Sequence, residues 1–301
     1  MKNILLVFAL VLLCATPGKT WWDPGHMLTA MIAYLQLDEA TRARLDNLTG
    51  VLQRDYPQVN HFIVTGPWPD DIKADGVHAY DTWHYTNIPY KTQELAIPVP
   101  PEVNVVWAIN QCSSILSSPQ SKGIEKARFL AFLVHFVSDL HQPLHSTSWY
   151  NNDQPGGNQG GNFFALTGNW RNLHALWDDG CGYLSSYNDI RPFGKAKEPL
   201  TPAQIDRIQV LAKELIQKYP AASFAAVDNL DPDFWALESS KLAVNYAFRG
   251  VKGKDDSGKN LFLQPNEEPT PYYLEQGQEV VRKQLALSGY RLARLIKQVL
   301  K

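Results

Sequence analysis

The chain is 301 residues long, with 45% hydrophobic residues and 28 basic against 30 acidic side chains. That length and apolar content describe an ordinary globular protein of one large domain or two small ones, with a sizeable buried core. The near-balanced charge offers no strong electrostatic footprint for duplex nucleic acid, so if phosphates bind, metal ions must supply much of the positive charge.

Residues 1 to 20 read as a secretory signal. Lys2 marks a short basic end, Ile4 to Leu13 forms the apolar region, and Gly18 and Thr20 are small residues before a cut expected between Thr20 and Trp21. The apolar run is too short to span a membrane. Leu13 precedes Cys14 where a lipidation site would have a small residue, so the product is expected to be soluble, secreted or periplasmic, without a membrane anchor. Loss of Lys2 and Lys19 leaves the mature chain mildly acidic. Cys112 and Cys181 remain and can form one disulfide in an oxidising compartment if they approach closely enough.

The new N-terminus would read Trp21-Trp22-Asp23-Pro24-Gly25-His26, followed by helical spacing of apolar residues from Met27 to Leu37. A free amine beside a histidine can ligate metal. The plainer reading has both tryptophans packing on the core and His26 beginning the helix. Asp38 has the character of an N-cap for a second helix closing near Gly50. Two polar clusters follow, Gly66 to Lys73 and Asp81 to Asn87, whose Pro and Gly density predicts loops carrying Asp70 and His84. A Pro-rich connector leads to a helix that Pro101 opens and that runs to about Ser118.

The next helix carries His135 and Asp139, four apart, so an imidazole and a carboxylate project from one face. Pro143 should end that helix, freeing His145 to turn a third ligand toward a neighbouring centre. An isolated His/Asp pair of this kind is often only a helix-surface interaction. The same spacing recurs at His174 and Asp178, among apolar residues where an unpaired carboxylate would be costly. Between the pairs, Asn151 to Asn162 is a turn-rich loop without a phosphate-loop Lys-Ser/Thr ending, which suits a rim loop or a close backbone approach. Helical periodicity returns over Thr201 to Tyr219, Pro232 to Phe248 and Pro271 to Leu300, with a polar excursion between Gly250 and Pro271. With no strong strand alternation and no repeat, the expected class is all-α, a single domain over residues 21 to 301.

Taken together, Trp21/His26, Trp68-Pro69-Asp70, Trp83-His84-Tyr85, His135-x3-Asp139-x5-His145 and Asn172-Leu173-His174-x2-Trp177-Asp178 closely resemble the zinc-dependent single-strand nuclease and 3′-nucleotidase family, of nuclease P-one and S-one type. The resemblance extends to Trp235-Ala236-Leu237-Glu238-Ser239 and the C-terminal helix. It implies a helical bundle with a cleft holding three zinc ions, and substrates of single-stranded RNA, DNA and 3′-nucleotides. By this resemblance Asp70, His84, His135 and Asp139 hold one zinc. Asp139 bridges to a second, bound also by His26 and by the amine and carbonyl of Trp21, while His145, His174 and Asp178 hold the third. A water shared by two zincs about 3.5 to 4 Å apart would be acidified for in-line attack on phosphorus, leaving a 5′-phosphate. Lys73 stands where the family usually has an arginine near the phosphate, keeping charge but losing the bidentate fork. Tyr85 stands at the aromatic position that stacks the base, and Asn87 where the family has an acid that hydrogen-bonds it.

Zinc-dependent phospholipase C shares this ligand arrangement, but its last motif ends in Glu where this chain has Asp178. A non-enzymatic secreted metal-binding protein is a third reading, disfavoured because no ligand is missing. No obligate protein partner is indicated.

Overall fold

The computed structural model describes residues 21–191, 197–248 and 263–301. The expected signal segment and most of the polar excursion after Gly250 lie outside the described residues. The architecture is helical, as expected. Helix α1 (Asp23–Leu35) is buried on nearly every side from Pro24 to Ala33, the signature of a core helix rather than a surface one. Helix α2 (Glu39–Gln53) starts where Asp38 accepts a hydrogen bond from the Thr41 amide, the expected N-cap.

A short helix α3 (Trp68–Ala74) carries Asp70 in its first turn, and a 3-10 turn (Asp81–His84) carries His84. Both fall where loops were expected. Pro69 sits at the start of α3, where its missing N–H is harmless, so proline density here marks a helix start. Helix α4 (Val105–Ser117) begins later than Pro101, because Asn104 caps it by accepting from the amides of Val106 and Trp107.

Helix α5 (Gly123–Leu140) is the axis of the molecule. The Glu125 carboxylate accepts from the Lys122 amide at its start, and Pro143 follows its end, as the sequence predicts. From Leu130 to Leu140 every residue is buried, with α1, α2, α4 and the C-terminal helix packed around it. The remaining helices are α6 (Leu173–Asp178, capped by Asn172), α7 (Pro202–Lys218), α8 (Pro232–Leu242), which continues as a π-helical turn to Phe248, and α9 (Pro271–Val299). Helix α9 lies along α1 at a close approach. A Cβ at Gly289 would stand 2.5 Å from Ile32 Cβ, so only glycine fits.

One element was not expected. Strands β1 (Ile88–Lys91) and β2 (Thr147–Tyr150) pair in parallel, Ile88 opposite Thr147. They follow directly on His84 and His145 and join the chain segments bearing them. The amide of Thr86 donates to His145 O at 2.8 Å and that of Ile88 to Ser146 O at 3.0 Å. The conceivable disulfide does not form: Cys112 and Cys181 are both free, buried thiols, each packed as a small apolar group in the core.

Candidate metal centre

Helix α5 delivers the central pair. His135 and Asp139 lie one turn apart on its buried face, with His135 Nε2 3.1 Å from Asp139 Oδ2. His84 brings Nδ1 to 3.0 Å from the same oxygen and 2.9 Å from His135 Nε2. From α1, His26 Nε2 reaches to 3.6 Å from Asp139 Oδ1, and its ring stacks on His135 with centroids 4.0 Å apart. Asp70, from α3, places Oδ1 3.9 Å from His135 Nε2 and 4.0 Å from His84 Nδ1.

Past Pro143 the chain turns His145 toward α6, where His145 Nε2 lies 3.5 Å from Asp178 Oδ1 and His174 Nε2 lies 3.4 Å from Asp178 Oδ2. Five histidines and three aspartates therefore form three groups whose ligand atoms lie within 4.8 Å: His84/His135/Asp139, His26/Asp70/His135, and His145/His174/Asp178. Every imidazole and carboxylate singled out from the sequence as a metal donor is in this cluster. Asp70 belongs as much with His26 as with His84, so the division into separate sites is less sharp than the resemblance implies.

The outer edges of the histidines fix which nitrogen faces inward. His135 Nδ1 lies 2.7 Å from Gly66 O, His145 Nδ1 2.8 Å from His84 O, and His174 Nδ1 2.9 Å from Gly160 O. A carbonyl can only accept, so each Nδ1 carries the proton and each ring turns its Nε2 toward the cluster, where it offers a lone pair once the ring is neutral, the usual support of a metal-binding histidine. Gly160 reaches His174 through a left-handed conformation at φ +62°, which places the Asn151–Asn162 loop as both rim and close backbone approach.

The donor set suits a metal. Asp139 Oδ1, His145 Nε2 and Asp178 Oδ2 are buried without a hydrogen-bond partner, which is costly unless a cation completes them. Burial pushes His26 down to about 3, helped by His135, and also lowers His84 and His174, so these rings are neutral ligands. For His145, burial is overcome by the Asp139 and Asp178 carboxylates, which push it up to about 9. Burial likewise opposes the ionised Asp139, but His135 and His145 overcome it and hold the carboxyl well below its usual range. A mix of imidazole nitrogen and carboxylate oxygen suits a divalent transition metal, zinc among them.

Above the cluster opens a cleft of about 370 Å³, lined by Lys73, Tyr85, Asn87, Gln159 and Asn162 with His145 and His174 at its base. Lys73, Tyr85 and Asn87 thus share one cleft. Lys73 Nζ is 3.6 Å from Asp81 Oδ1, which holds it at the rim. Trp21 shows the packing role: its indole is buried and donates from Nε1 to Ser138 O at 2.9 Å. The Trp22 amide donates to Asp178 O at 3.0 Å, so the start of the described chain is moored to both α5 and α6.

Sequence reasoning passed over Gln142. Its Nε2 donates to Asp178 Oδ1 at 2.6 Å while its Oε1 accepts from the Leu144 amide, orienting the Asp178 carboxylate from inside the ligand-bearing stretch. Its place between His141 and Pro143, at the helix end, was the available signal.

A family model described as S1/P1 nuclease matches residues 21–301. Among curated proteins the chain is similar to Endonuclease 3 of Arabidopsis thaliana, at 26% identity over 93% of this chain and 88% of that protein. It is similar to Endonuclease 1 of the same plant, at 26% over 99% and 93%. Nuclease S1 of Aspergillus oryzae is 27% identical over 59% of this chain and 60% of that one.

Proposed function

We propose, from the premise that this chain belongs to the S1/P1 nuclease family, that this nuclease is a zinc-dependent phosphodiesterase of single-stranded RNA and DNA. It would release 5′-phosphate products and also act as a 3′-nucleotidase. The observation that carries the reading is the convergence of five histidines and three aspartates, several with unpaired ligand atoms, beneath a cleft bearing an aromatic and a cation.

In this reading His84, His135, Asp139 and Asp70 hold one zinc. His26, Asp139 and the amine and carbonyl of Trp21 hold a second, and His145, His174 and Asp178 a third. When bound, the ions would supply Lewis acidity and positive charge for in-line displacement at phosphorus. Asp139, with His26 near one oxygen and His84 and His135 near the other, would be the ligand common to two ions, a reading these distances support. Asp70 is the most exposed of the three carboxylates, its side chain 22% accessible against 0% for Asp139, so it can accept a hydrogen bond from an attacking water and orient it. His145, His174 and Asp178 would hold the ion that supplies positive charge to the departing 3′-oxygen. Lys73 supplies a point charge to the phosphate. Tyr85, 37% exposed, offers a face for stacking, and Asn87 can both donate to and accept from a base edge. Balanced overall charge fits a protein whose attraction for phosphate resides in its ions.

No described helix is long and apolar enough to cross a membrane. Residues 1–20 act in this reading as the secretory signal, and the cut after Thr20 frees the Trp21 amine. The test is hydrolysis of single-stranded DNA and RNA, duplex DNA, a 3′-nucleotide and phosphatidylcholine, each with and without chelator. The reading expects chelator-sensitive cleavage of the single strands and the 3′-nucleotide, restored by zinc. Cleavage of the lipid alone, or full activity after chelation, would refute it.

A further inference from the structure

Outside the donors and the cleft lies a buried guanidinium that joins two of the donor-bearing helices. The Arg191 side chain is 1% exposed, and its two terminal nitrogens serve two different helices: Nη1 lies 2.6 Å from Asp23 Oδ2 and Nη2 2.6 Å from Asp71 Oδ2. Asp23 opens α1, one turn before His26, and Asp71 is next to Asp70 in the first turn of α3. Arg191 itself comes from the segment after α6, where the Ile190 carbonyl accepts from Gln204 Nε2 at 2.6 Å at the head of α7.

We infer that Arg191 is a positioning residue for the His26 and Asp70 side of the metal centre: its fork locks the starts of α1 and α3 in one relation and thereby sets the spacing of the donors they carry. The inference rests on the metal-ligand reading above. A buried ion pair is weak evidence of stability, since a well-packed apolar side chain often serves as well. What a planar fork adds is geometry. Two charge-assisted bonds from one rigid plane to separate carboxylates constrain both the distance between the helices and their rotation, which a single ammonium does less well. His26 and Asp70 must bring ligand atoms within 4.8 Å of each other and of His135, and they belong to helices otherwise independent in sequence. The same clamp steadies the stretch from Trp21, whose indole and following amide are already tied to α5 and α6. Both carboxylates that Arg191 holds lie beside the His26 and Asp70 donors, so the effect should be greatest on that side.

The experiment uses the protein beginning at Trp21, loaded with zinc. It compares wild type, Arg191→Met, Arg191→Lys and Asp23→Asn by metal content against increasing chelator, and by unfolding temperature of the metal-free forms. Supporting outcomes are release of the two ions assigned to His26 and to Asp70 at about 10- to 100-fold lower chelator in Arg191→Met, the third as in wild type, and Arg191→Lys in between. Should Arg191→Met fail to fold, Asp23→Asn keeps the side-chain shape and removes one anchor, and the same selective release is expected of it. Parallel loosening of all ions, tracking the unfolding temperature, would make Arg191 merely structural and overturn the inference, as would unchanged release in every variant. A wild type that retains no zinc would overturn the ligand reading and this inference with it.

Discussion

Asp139→Asn tests the centre most directly, because that carboxylate is fully buried and serves four imidazoles: 3.0 Å from His84, 3.1 Å from His135, 3.6 Å from His26 and 3.7 Å from His145. An amide of nearly the same shape removes the charge and replaces one acceptor by a donor aimed at two ring nitrogens. In the metal-free protein, breaking a buried ion pair from one side costs about 3 to 5 kcal/mol. At about 2 to 4 °C per kcal/mol, that lowers the midpoint by about 6 to 20 °C. Under the proposed function two ions lose a shared anionic ligand in the loaded protein, and if each contributes several kcal/mol to the transition state, cleavage falls by on the order of 10³ or more. Asp178→Asn removes a ligand from one group only and should be milder on both counts. Calorimetry with and without chelator, elemental analysis and initial rates on single-stranded DNA read all three quantities. Equal metal content and equal rates in the two variants would refute the bridging role of Asp139.

Retaining Gly or Met ahead of Trp21 replaces a basic amine by an amide, so the extended protein should lose one zinc at limiting metal while keeping its fold. Equal zinc content and equal cleavage in extended and mature forms would return Trp21 to a packing role alone. Asn87→Asp should sharpen preference among the four 3′-nucleotides, because a carboxylate only accepts; unchanged relative rates would show that position 87 does not read the base. Among the histidines with the largest shifts, the combined contribution to metal-free stability should be greatest near pH 6.5. His26 and His141, held down to about 3 by burial, with His135 and Arg291 respectively adding to the effect, bind fewer protons folded than unfolded, so their contribution fades as pH falls from about 6.5 toward 3. His145, raised to about 9, contributes fully below about 6.5 and loses that contribution as pH rises through about 9. A stability that climbs monotonically through this range, measured by denaturant titration in chelator, would contradict these assignments. Gly289→Ala forces a methyl against Ile32 and should cost about 1 to 3 kcal/mol without changing metal content.

The donors were legible because helical periodicity does the placing. His135 with Asp139, and His174 with Asp178, must share a face once the surrounding apolar pattern makes a helix, and Asp38 and Asn172 announce their helix starts by side-chain chemistry. What escaped depends on contacts across the chain. Strands β1 and β2 have four residues each, one of them a proline, too short for alternation to register. Arg191 meets its partners 168 and 120 residues away, and no local pattern announces a buried ion triad. The prolines near Asp70 signal a turn or a helix start equally well until packing chooses. Cys112 and Cys181 are apart for a reason equally invisible locally, since each fills its own niche in the core.

Those two unjoined thiols leave the described fold without a covalent cross-link between them, and under the proposed function the ions take over that duty. Their donors come from α1, α3, the 81–84 turn, α5, the His145 turn and α6, so three ions would staple six stretches of chain and shrink the unfolded ensemble as disulfides do elsewhere. Unlike a disulfide, such a staple is set by mass action: each tenfold rise in free zinc above the dissociation constant adds about 1.4 kcal/mol per ion. Reducing agents should therefore leave the protein intact, whereas scarcity of zinc should open it to proteases, which makes the lifetime of the enzyme a readout of the metal in its surroundings.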